Sequence, residues 1–67
     1  VTAERVRTLL LRGDNLLKSA RPERFGRALE AFEEARDAAR DDDVSPAVRD
    51  LVERRIEALE KLTAESS

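Results

Sequence analysis

The stretch FGRALEAFEEA, running from Phe25 to Ala35, decides the fold of this chain. Ala28, Phe32 and Ala35 lie four and three residues apart, the return period of an α-helix, so they share one face. That face sets one ring between two small contact points, which lets a partner helix come close. Upstream, Val6, Leu9, Leu10, Gly13, Leu16, Leu17 and Ala20 recur at the same spacing and predict a first helix over about residues 2–20, with Thr2 as N-cap. Pro22 ends it and is suited to open a second helix over about 22–40, since a proline at the first helical position loses no hydrogen bond. Ser45 and Pro46 then give an N-cap hydroxyl followed by a first-turn proline, the start of a third helix over about 46–62.

Asp41, Asp42 and Asp43 break the pattern between the last two helices, and residues 63–67 read as a frayed tail. No stretch alternates with the two-residue period of a strand. Each helix carries an apolar stripe without being apolar all round, as a three-helix antiparallel bundle requires. The expected fold is therefore all-α, a single domain over 1–67. Its predicted core comprises Leu9, Gly13, Leu16, Phe25, Ala28, Leu29, Phe32, Ala35, Val52, Ile56 and Leu59. A mid-helix glycine costs about 1 kcal/mol against alanine, so Gly13 and Gly26 are expected where another backbone approaches. Leu11 sits off the stripe among Arg7, Asp14, Asn15 and Lys18 and is expected to be exposed.

Phe25, Ala28, Phe32 and Ala35 match the second-helix pattern of the tetratricopeptide repeat, and Gly13 with Leu16 supplies the small and large residues of its first helix. Over roughly residues 6–46 the chain resembles one tetratricopeptide-like helical hairpin, followed by a third, capping helix. It departs from the family in a turn about three residues longer, around Arg21, Pro22 and Glu23, and in Leu9 standing where a large aromatic is usual. The third helix, with Arg55, Ile56, Leu59 and Leu62, is also similar to the microtubule-interacting-and-transport domain, though more loosely. Both resemblances imply an adaptor that binds a peptide or helix of a partner protein. The tetratricopeptide resemblance places the capture surface on the outward side of the first helix, at Arg7, Leu10, Leu11, Asp14, Leu17 and Lys18. There Arg7 and Lys18 suit an acidic group and the three leucines suit apolar anchors, while Leu10 and Leu17 are equally good core candidates.

Composition bounds the chemistry. Among 67 residues there is no Cys and no His, which disfavours metal, redox and proton-shuttle roles, and no cofactor or catalytic residue is expected. The longest apolar run, Leu9 to Leu11, is far too short for a membrane span, so a cytoplasmic protein is expected. A core of this size is marginal, and a single repeat leaves one side uncovered, so self-association, as a homodimer for example, is expected alongside a protein or peptide partner. The absence of Met leaves a longer parent protein open.

The net charge of −2 hides a dipole: residues 1–29 carry seven basic against three acidic groups, and residues 30–43 carry seven acidic against two basic. One reading is head-to-tail association of copies, and the other is neighbouring helices complementing each other within one copy. Arg5, Arg7, Arg12, Lys18, Arg21, Arg24 and Arg27 could form a basic patch, yet the acidic balance and the lack of Tyr and Trp disfavour nucleic acid. A small regulatory subunit acting through a basic first-helix face, on nucleic acid or on a DNA-binding partner, is the alternative. The aspartate run lacks the alternating oxygens, glycine and closing glutamate of a calcium loop and reads as a helix terminator, with Asp43 forming an Asx turn.

Overall fold

The computed structural model describes residues 2–66, the side chain of Ser66 excepted. Its elements are α1 (Thr2–Lys18), α2 (Arg24–Ala38) and α3 (Pro46–Ser66), with no strand among the described residues. They form an all-α, three-helix antiparallel bundle of 37 × 18 × 13 Å. At one end the Thr2 hydroxyl donates to the Asp41 carboxylate at 3.4 Å, tying the start of α1 to the turn after α2. Most of the packing joins α1 to α2. α3 lies on α2 and touches α1 only along an edge.

The helix ends differ from the sequence expectation for local reasons. α1 stops at Lys18 rather than Ala20, because the Ser19 N–H and hydroxyl both donate to the Leu16 carbonyl, at 3.1 and 2.8 Å, and tighten the last turn. Thr2 is not the N-cap; it is already helical. Pro22 does not open α2 either. It sits in a turn closed by the Arg24 N–H on the Arg21 carbonyl at 3.2 Å, and α2 begins at Arg24 with Glu23 as an N-cap that makes no side-chain capping bond. At the other end α2 stops at Ala38, not Arg40, as three-residue bonds from Arg40 and Asp41 replace the α-helical pattern. The Asx turn forms at Asp41 rather than Asp43: Asp41 Oδ1 accepts the Asp43 N–H at 3.0 Å. Ser45 does cap α3, its hydroxyl accepting the Val48 N–H at 3.4 Å. α3 then runs to Ser66, so the expected fraying from Thr63 is absent, since no Gly or Pro interrupts Thr63, Ala64 and Glu65. Ser67 lies outside the described residues.

One contiguous core holds the helices together. Phe32, Val6, Val52 and Leu59 are almost fully buried, with Leu9, Leu10, Ala28, Ala35 and Ile56 around them. Leu16, Phe25 and Leu29, expected in the core, are only half-buried and pack against its edge. Gly13 is a point of close approach, though to a side chain and not to the backbone expected. A Cβ placed there would lie 2.8 Å from Phe32 Cδ1 and Cζ and nearer still to Cε1, so the bare backbone is the seat of the ring. No described glycine has positive φ, which leaves space as the reason for Gly13. Gly26 is different: a Cβ there meets nothing within 4 Å, so the close-approach expectation fails at that position.

Two buried residues come from the turn after α2. Ala39, expected in the second helix, and Val44, just after the aspartate run, are 3% and 2% exposed, so this turn contributes apolar side chains to the core. Arg49 from α3 seals this corner. Its Nε donates to the Ala39 carbonyl at 2.7 Å and Nη2 to the Asp41 carbonyl at 2.8 Å, satisfying acceptors that the end of α2 leaves open.

Candidate functional site

Arg7, Leu11, Asp14 and Lys18 follow one another at four, three and four residues, so α1 presents them on one side. Arg7 and Lys18 are exposed, and Leu11 is 63% exposed between them. Asp14 is half-buried and turned toward α3, where Arg55 Nη2 lies 3.2 Å from its carboxylate. The other two expected binding residues are placed inward. Leu10 is 5% exposed and belongs to the core, and Leu17 is half-buried against it, because both lie about 60° or more around the helix from Arg7, on the side facing α2.

Across the edge between α1 and α3, the structure adds residues that the first-helix reading omitted. Leu51 and Leu62 are 41% and 45% exposed and share a side of α3 with Arg55, at four and seven residues' spacing. Because α1 and α3 run in the same direction, Leu11 and Leu51 lie before the Asp14–Arg55 pair, and Lys18 and Leu62 lie after it. Spacing alone could have grouped Leu51, Arg55 and Leu62, but the choice of α1 as their neighbour needed the tertiary pairing.

On its other flank Leu11 borders an open depression of about 610 Å³ between α1, the α1–α2 turn and the start of α2. Leu16 and Leu11 supply apolar wall, and Arg12, Arg21, Arg24 and Arg27 reach its rim with Glu23 as the lone acid. Arg24 donates from Nη1 to the Arg21 carbonyl at 3.2 Å and stands 4.6 Å from the centre of the Phe25 ring. None of the four arginines is in an ion pair among the described residues. The pairs found there are Glu33–Arg36 and Asp50–Arg54 within helices, Asp37–Arg40 across the end of α2, and Asp14–Arg55 between helices. The hydroxyls of Thr8 and Ser19, also in the depression, donate to the Glu4 and Leu16 carbonyls at 2.9 and 2.8 Å. What this flank offers is cationic and apolar contact. Among the described residues no group of three or more carboxylates is placed to hold a metal ion, and no helix is long and apolar enough to cross a membrane.

No family model matches the chain, and no curated protein or solved structure matches it.

Proposed function

We propose that this protein is a non-enzymatic interaction module of the cytoplasm that binds an acidic, amphipathic peptide or helix of a partner protein along the outward side of α1. One observation carries the reading: Leu11 stands 63% exposed between exposed Arg7 and Lys18, although the fold makes no use of it. An apolar anchor flanked by cations matches a segment with an apolar side chain and acidic neighbours. The resemblance of α1 and α2 to a tetratricopeptide hairpin supports the same class of function, as does the looser one to microtubule-interacting-and-transport domains. The Asp14–Arg55 pair fixes how α1 and α3 flank the contact, and Leu51 adds a second apolar point.

The test is a selection from a random peptide display library, followed by affinity measurements on three forms of the protein. Selected peptides are expected to be acidic with an apolar anchor. Leu11→Asp, or Arg7→Glu with Lys18→Glu, is expected to weaken them by about tenfold or more, as loss of a buried anchor or a charge-assisted contact does. Equal affinity for all three forms, each shown to be folded by circular dichroism, refutes this face.

A second reading rests on the four arginines without ion pairs around the depression, which favour an anionic partner such as nucleic acid. Fluorescence anisotropy with a short DNA duplex distinguishes it, because this reading requires duplex binding that falls steeply with salt and the first requires no duplex binding.

A further inference from the structure

We infer that copies of this chain associate head to tail, the acidic α2–α3 turn of one seated in the arginine-rimmed depression of the next. Both halves of the contact are present on one molecule. The depression carries Arg12, Arg21, Arg24 and Arg27 against Glu23 alone, and no ion pair among the described residues neutralises them. The turn presents Asp42 and Asp43 exposed, and neither carboxylate has a hydrogen-bond or ion-pair partner among the described residues. The knob is also held in shape. Asp41 accepts the Asp43 N–H, Arg49 clamps the Ala39 and Asp41 carbonyls, and Val44 is buried behind it. A pre-shaped knob loses little freedom on docking.

The two surfaces cannot satisfy each other within one copy, because α2 separates them: the depression lies at its Arg24 end and the aspartates follow its Ala38 end. Fifteen helical residues put about 20 Å between those ends. Complementation between neighbouring helices does not absorb the charge either, since among the described residues Asp14–Arg55 is the only ion pair that joins two helices. A contact between different patches on the two copies is heterologous, and it propagates unless the rotation closes a ring. This association uses arginines apart from the Arg7 and Lys18 contact proposed above, so either can fail without the other.

Sedimentation of the wild-type chain at low and high salt, with two charge-reversed variants, tests the inference. At about 20 mM salt the mean mass is expected to rise with concentration beyond a dimer, and at about 500 mM to return to the monomer, as screening at those lengths dictates. Arg21→Glu with Arg27→Glu removes the receiving end, and Asp42→Lys with Asp43→Lys removes the inserted end. All four residues are exposed, and the helical circular dichroism of each variant checks its fold. Each variant alone is expected to be monomeric, whereas an equimolar mixture, which pairs one intact knob with one intact depression and sets opposite charges together at the altered ends, is expected to associate again. A monomer at every salt concentration overturns the inference, as does association that neither variant reduces, a mixture that stays monomeric, or a monomer whose arginines instead bind duplex DNA.

Discussion

At Gly13 a single hydrogen in place of a methyl group sets the distance between α1 and α2, because the Phe32 ring occupies the space a Cβ needs. Phe32 is 1% exposed and enclosed by the core, so any shift of its ring presses on packed neighbours. Gly13→Ala is therefore expected to destabilise the fold by about 1 to 3 kcal/mol through overpacking, outweighing the alanine's better helix propensity of about 1 kcal/mol. Gly26→Ala removes the same flexible residue with open space around it and is expected to stabilise by about 0.5 to 1 kcal/mol. Thermal melts read the opposite signs, with about 4 to 8 °C per kcal/mol for a domain of this size. A loss of stability in both variants would show that the two sites are not distinguished by space. In the sequence the two glycines look alike, each interrupting a helical stretch. What separates them is the aromatic ring opposite Gly13, a contact between residues far apart along the chain.

Among the elements, the corner between α2 and α3 shows how a helix end is held without a terminal glycine. The last carbonyls of α2 and its turn need donors, and Arg49 delivers two from the first turn of α3. Its guanidinium fork reaches both carbonyls at once, which a lysine ammonium cannot reproduce with the same geometry. Arg49→Ala is expected to cost about 1.5 to 3 kcal/mol, the range for hydrogen bonds from a charged donor, and Arg49→Lys to recover less than half of that. Urea titration with an unchanged slope is the check, and equal stability of all three proteins would remove the clamp from the account. Ser45 and Pro46 announced the start of α3 in the sequence because an N-cap is a local device. The other boundaries were harder to read. Pro22 is as well suited to a turn as to a helix start, and the bonds from Ser19 and Arg24 decide for the turn.

The whole molecule is a small core shared unequally, in which α3 covers what the α1–α2 pair leaves open. Val52, Ile56 and Leu59 are buried on that side, and all come from α3. Deleting everything after Asp43 exposes the opposite side of the Phe32 layer and leaves a chain near the lower limit for an unstapled fold, about 40 residues. That truncation is expected to lose most of its helical circular dichroism at 25 °C, since isolated helices of this length are marginal in water. A truncated chain that melted cooperatively would show that the hairpin stands alone. The sequence by itself determined three helices, the faces they bury and the uneven charge, because periodicity, breakers and composition act over a few residues at a time. It also placed Leu11 outside and Phe32 inside. Only the tertiary structure decided that Leu10 is core, that Asp14 pairs with Arg55, that Val44 is buried, and that the arginines of α1 and α2 rim one depression. Each of these depends on where one helix lies against another, and contacts such as the Phe32 ring on Gly13, between residues distant in the chain, hold the helices there.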